Sequence, residues 1–581
     1  MTGISRAAGQ GGATRSAGRA DLAERIEAAT LAASEALYLA RRPDGSWQDW
    51  LPSAATSTAS SAIALTLADP DGSRDLIAGA LRWLCADQAA DGGWGEGPGQ
   101  PASINATAMA LAALKQGALR GEVGAADGQD YADELRRGFA RFDQMGGMAA
   151  LHDLDVASLG PVCQQYFALV GLFDEQDMVR IPIELSLFPA FIKRRFCFSF
   201  PGLMAWGLMQ CAVRRAGPAR RLINRAATPG ALRFLRSVAE FEGPEGGFEE
   251  SPLMVALVCI GLARAGAGRD VLDHCVAYLR RTVRADGAWA VTRDLEFTVT
   301  ALITVGMHEA GLGGDPRLET SAEWIRDCQM SRPFEPTGAP SGGWQWSQPS
   351  GWPGTLDTAD GVSALAGFGP ADPSAQRGVR WLLEMQNGDG SWSYFCRNSR
   401  LPVDSPCSLM TGHAMTALQE AGGLTARDKP LARAVEWIGR ALRPEGDIVT
   451  AWYVGSTPGT GSCLAALGRL GLADHPTAQR LRGWLTTHQN ADGGWGGGDG
   501  AVSTVEETAW ALLGLADGSG ADCDEMLAHG TAWLLDQQDA SGYWPAAYVN
   551  YYMHNLTFAS DHFANGYALQ ALGRVRRRML R

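Results

Sequence analysis

The sequence predicts an all-α protein whose helix pairs stack into α/α barrels. Three features predict it: a helix-ending motif that recurs along the chain, the small apolar helices that follow it, and the near absence of strand patterning. The motif is Gln-x-x-x-Gly-x-Trp. Intact copies are Gln88…Gly92-Gly93-Trp94, Gln386…Gly390-Ser391-Trp392, Gln489…Gly493-Gly494-Trp495 and Gln538…Gly542-Tyr543-Trp544. Each follows an amphipathic stretch with an aromatic anchor: Trp83, Trp381, Trp484 and Trp533. Copies without the Gln end in Trp47, Phe248 and Trp289, and Gly342-Gly343-Trp344 follows a longer loop.

The Asp-Gly or Ser-Gly turn stops the helix and supplies a positive φ. The Trp folds back over the helix end, and the Gln amide bridges backbone groups there. Stretches such as Asn105 to Leu114, Ser363 to Phe368 and Val505 to Leu515 then form the next helix. A two-helix unit of about 50 residues buries its apolar face only against neighbours. A ring of such units is an α/α barrel, and the motif itself is structural.

Composition narrows the function. The chain has 581 residues, 46% hydrophobic and 19% charged, which fits large cores. A net charge of −13 argues against a nucleic-acid partner. The 11 cysteines are scattered with no CxxC pair, so a disulfide framework is not expected and a reducing cytoplasm fits. Residues 1–20 are Gly-, Ala-, Ser- and Arg-rich without an apolar core, and read as a disordered tail, not a signal peptide. No apolar run reaches membrane-spanning length.

The repeat fades between about 115 and 235. There the stretch from Ile181 to Trp206 is apolar and aromatic, with a basic cluster at Lys193, Arg194 and Arg195 and more arginines at Arg214, Arg215, Arg220 and Arg221. Residues 181–215 therefore read either as a membrane-surface contact, placing the protein on the inner face of the membrane, or as a buried helix pair with a solvated basic edge.

The repeated motif resembles that of the squalene–hopene cyclase and class II terpene cyclase family. The resemblance runs over roughly 30 to 575. It extends to Leu187-Phe188-Pro189, Glu249-Glu250-Ser251-Pro252-Leu253, Gly342-Gly343-Trp344 and the stretch Tyr548 to Met553. It implies two α-barrels with an apolar cavity between them: an N-terminal helix at 21–40 packed on the second barrel, an inserted barrel at 41–300, and the acid-bearing barrel at 301–581. The activity implied is cyclisation of a linear isoprenoid (C15 to C30, with or without a diphosphate) started by protonation. An atypical enzyme with another first step, or a silent isoprenoid-binding protein, is the alternative.

The family's acid motif is Asp-x-Asp-Asp-Thr-Ala. Here the matching stretch is Gly354-Thr355-Leu356-Asp357-Thr358-Ala359, so only the last Asp survives and Leu356 takes the protonating place. A second element, Asp-Val-Thr-Ala-His, reads Leu409-Met410-Thr411-Gly412-His413, which keeps the His and loses the Asp. Asp357 and Asp360 share a helix face, and two close carboxyls push one pKa up. One of them, oriented by His413, is the expected acid. The alternatives are helix capping for the aspartates and a core role for His413.

By the same resemblance Trp344, Trp346, Phe297, Phe395, Tyr453 and Tyr551 are expected on the cavity wall, where aromatic faces stabilise cations, or else in the core. No cofactor is expected, unless the substrate is a diphosphate. Mg²⁺ would then join Arg194, Arg195 and Arg397. Asp404, Cys407 and His413 have zinc-ligand types, yet the repeats favour the cyclase branch over zinc-dependent barrels. The oligomeric state stays open.

Overall fold

Each repeat ends an outer helix and turns the chain inward. In the computed structural model, which describes residues 7–120, 131–348, 350–399, 401, 404–518 and 521–580, the device is the same at every intact copy. The Gln386 amide donates to Gly390 O at 2.9 Å and to Pro430 O, on the next outer helix, at 2.8 Å. Gln88, Gln489 and Gln538 likewise bridge their own turn to Glu134 O, Met526 O and Ala29 O. Trp392 is fully buried. Its Nε1 donates to Leu382 O at 2.8 Å and its backbone N–H to Thr411 Oγ1, on the next inner helix, at 3.1 Å. Gly390 sits at φ 102°, and a Cβ there would lie 2.5 Å from Arg433 O, so the turn requires glycine.

The repeat at Trp344 has its glutamine after all. Gln329 donates to Gly342 O and Ser374 O, both at 2.8 Å. An inserted loop between Gln329 and Gly342 hides the spacing in sequence.

The units close into a ring. Inner helices Glu296–Glu309, Thr355–Ala366, Ser408–Glu420, Thr457–Arg469, Val505–Leu515 and Asp561–Leu580 pack in that order, and the last returns to the first. Outer helices flank them, and the Ala7–Ala40 helix completes the outer layer against Asp561–Leu580. The second barrel packs its inner helices in the spatial order Gly160–Leu169, Ile104–Arg120, Ala55–Ala68, Pro252–Ala265 and Phe200–Val213. Because Glu296–Glu309 belongs to the first ring, the boundary between barrels falls before Glu296, not at 301.

Three further features differ from, or add to, the expectations. The first helix begins at Ala7, so most of the stretch expected as a tail is helical, consistent with its alanine content; residues 1–6 lie outside the described residues. Strands Asn550–Met553 and Leu556–Phe558 pair antiparallel across a tight turn with Asn555 at φ 64°. The stretch 181–215 divides: the Phe200–Val213 helix is largely buried, whereas Leu187, Phe188 and Phe191 are exposed. Among the described residues no helix is long and apolar enough to cross a membrane, and the described cysteines are free.

Candidate active site

Between the barrels lies a cavity with a largely apolar wall. Trp346, Phe395, Tyr453 and Tyr551 are on its wall, together with Tyr394, Trp452, Tyr552, Phe558 and Phe563. Aromatic faces thus surround a largely apolar space, as cation stabilisation requires. The loops that follow the repeats and the hairpin supply most of these rings.

Phe297 and Trp344 are elsewhere. Phe297 stacks against Trp324 and Trp344, each with ring centroids 6.0 Å apart, and Trp344 is a repeat tryptophan donating to Ile325 O. Both are fully buried in the layer between inner and outer helices. Successive helix positions rotate by about 100°. Thr298 therefore reaches the cavity while Phe297 turns away from it.

Leu356 stands on the wall, and Asp357 lies directly behind it. Asp357 is fully buried; Oδ1 accepts from Thr298 Oγ1 at 2.6 Å and Oδ2 from Tyr394 Oη at 2.8 Å. Burial pushes its carboxyl up to about 7, against the pull of those two hydrogen bonds, and neighbouring Asp360 adds to the rise. The helix N-cap is Gly354, so Asp357 is not the capping residue. One turn on, Asp360 Oδ1 is 2.7 Å from His413 Nδ1. Trp510 packs edge-on against that imidazole, and the buried Asp360 Oδ2 and His413 Nε2 have no hydrogen-bond partner. The structure therefore brings Asp357, Asp360 and His413 together but puts none of them on the wall. Tyr394 joins them to the cavity: its ring lines the space and its hydroxyl touches Asp357.

The polar candidates for a diphosphate are not at this site. Arg194 lies on the surface against Glu335 O, Arg397 is exposed, and the Arg195 side chain lies outside the described residues. No lysine or arginine lines the cavity among the described residues. Nor do the zinc-type residues converge. Asp404 accepts from the N–H groups of Phe395 and Cys396, Cys407 pairs with Thr450, and His413 with Asp360.

Sequence reasoning missed a second group of buried carboxyls. Glu242 is buried where Trp352 Nε1 and Gly351 N–H donate to it, at 2.9 and 3.2 Å. Burial, with Glu250 nearby, pushes it up to about 8 from the ordinary 4.5. Its folded form thus holds a proton that the unfolded chain releases, so its contribution to stability is complete below 4.5 and is lost as pH rises through about 8. In Glu242→Gln, melting temperature is therefore expected to fall less steeply between about pH 5 and about pH 8 than in the parent, measured by calorimetry.

Comparison with known proteins fits this architecture. The model of the squalene-hopene cyclase C-terminal domain matches residues 295–577, and that of the N-terminal domain matches residues 31–207. A squalene–hopene cyclase from Bradyrhizobium diazoefficiens is 29% identical over 39% of this chain and 38% of its own length. Enfumafungin synthase from Hormonema carpetanum is 25% identical over 87% of this chain and 45% of its own length. The matched region thus spans less than half of each of these relatives. Among solved structures, ent-copalyl diphosphate synthase from Streptomyces platensis shares the fold with a TM-score of 0.55 at 18% identity, over 96% of this chain and 99% of that one. With domain models matching on both barrels, the chain belongs to the squalene-hopene cyclase family.

Proposed function

We propose that this protein is a class II-type terpene cyclase that folds a linear isoprenoid in the inter-barrel cavity and starts its cyclisation by protonation. The observation that carries the reading is Asp357. It is a buried carboxyl whose proton is held up to about pH 7, and it is hydrogen-bonded to a tyrosine on the wall of an aromatic cavity. In the step proposed, the protonated Asp357 reverses its hydrogen bond with Tyr394 and gives its proton to Tyr394 Oη as the tyrosine proton adds to a substrate double bond. The π pair forms the new C–H bond, and the cation runs along the chain under the aromatic faces until a proton is lost. The Asp360–His413 pair behind Asp357 holds the helix turn and its charge balance. The proton source is the protein's own carboxyl, so no metal takes part.

Leu356 favours a second reading: with an aliphatic side chain where the acid is expected, the cavity would hold an isoprenoid without converting it. Incubation of the purified protein with squalene, oxidosqualene, farnesyl diphosphate and geranylgeranyl diphosphate, read by mass spectrometry, separates the two. A cyclic product isomeric with its substrate is expected. Stoichiometric retention without conversion would leave the binding protein.

A contact with the membrane surface is part of the proposal, narrowed from 181–215 to the exposed Leu187, Phe188 and Phe191 beside Lys193 and Arg194.

A further inference from the structure

Three residues on the wall carry a buried polar side-chain atom without a hydrogen-bond partner: Glu249 Oε1, Asn550 Oδ1 and Trp346 Nε1. A buried polar atom left unpaired is costly, so a wall whose residues carry three suits a ligand that pairs with them. Glu249 is the carboxyl among them, and it comes from the barrel opposite Asp357.

The backbone is bent to place it there. Glu249 and Glu250 have φ of 61° and 48°, a left-handed conformation that costs a non-glycine residue energy. Anchors hold the bend. Glu250 O accepts from Arg293 N–H at 2.9 Å and from Thr292 Oγ1 at 3.0 Å, and Ser251 Oγ donates to Val291 O at 2.6 Å. The bend leaves Glu249 Oε2 3.4 Å from Tyr552 Oη and Oε1 buried without a hydrogen-bond partner, on a residue that lines the cavity.

We infer that the ligand of this cavity is an isoprenoid with an uncharged hydroxyl, held by Glu249 and drawing on the polar atoms of Asn550 and Trp346. A hydroxyl has one proton to donate to a carboxyl or amide oxygen and lone pairs to accept from an indole N–H, so it can pair with either kind of atom. A hydrocarbon chain would leave them unpaired. A diphosphate would place two or more negative charges in a cavity with no lysine or arginine on its wall among the described residues and Glu242 close behind. Burial and Glu242 also push the Glu249 carboxyl well above its ordinary range, which favours its neutral form and suits a neutral partner.

The inference deepens the cyclase reading and rests on it for the identity of the chain as an isoprenoid, but binding tests it without turnover. Quenching of tryptophan fluorescence reports occupancy, since Trp346 and Trp452 are on the wall. Geranylgeraniol is expected to bind at least about ten-fold more tightly than the matching hydrocarbon and than geranylgeranyl diphosphate. In Glu249→Leu the preference for the alcohol over the hydrocarbon should collapse while the hydrocarbon still binds. Glu249→Gln, which keeps the shape and an oxygen acceptor, should retain most of it and guards against misfolding. Tighter binding of the diphosphate, or an unchanged alcohol preference in Glu249→Leu, would overturn the inference. Alcohol selectivity without conversion of any isoprenoid would sink the cyclase proposal and leave the hydroxyl site standing.

Discussion

Asp357→Asn is expected to lower the conversion of any accepted isoprenoid by about a thousand-fold while leaving the protein folded. The amide keeps the size of the carboxyl and an oxygen for Thr298 Oγ1, so the buried packing stays intact. What it removes is the proton. Asp360→Asn is the informative partner, because Asp360 pairs with His413, whereas Asp357 pairs with Tyr394. A loss confined to the Asp357 variant assigns the acid; a loss confined to the Asp360 variant moves it one turn along the helix. The parent's rate should hold at acidic pH and fall as pH rises past about 7, because the reactive form is the protonated one.

The largest structural effect is expected from Trp392→Ala, about 3–5 kcal/mol by denaturant unfolding. The side chain is fully buried, and its two N–H groups tie the end of the Pro373–Met385 outer helix to the Ser408–Glu420 inner helix. Its loss opens a cavity and takes the indole donor from Leu382 O in the core, while the backbone N–H bond to Thr411 Oγ1 survives. A substitution such as Val502→Ala, at an exposed loop position, should change stability by less than about 0.5 kcal/mol.

The barrels were legible because one local device repeats, and each copy carries its own chemistry: glutamine to bridge, glycine to turn, tryptophan to cover. Even so, Gln329 escaped notice, since an insertion between it and Gly342 broke the spacing while the hydrogen bonds persisted. The cluster of Asp357, Asp360 and His413 was legible from a helical spacing and a motif. Which side of a wall a residue faces was not. Phe297 and Thr298 are adjacent in sequence, yet only Thr298 meets the cavity, because the rotation of the Glu296–Glu309 helix is set by its packing. Glu249 was within a recognised stretch, but its exposure to the cavity depends on two left-handed residues that no pattern in the sequence announces. Tyr394 lies two positions after a repeat tryptophan, in a loop whose course is fixed by Asp404 bridging the N–H groups of Phe395 and Cys396.

The most direct test of the proposed chemistry is to run the conversion in D₂O and locate the label by mass spectrometry and NMR. Protonation by an exchangeable carboxyl predicts one deuterium per product molecule, on the carbon where the cascade begins. A cyclic product without deuterium there would show that the reaction starts by another route, and would contradict the role given to Asp357 and Tyr394.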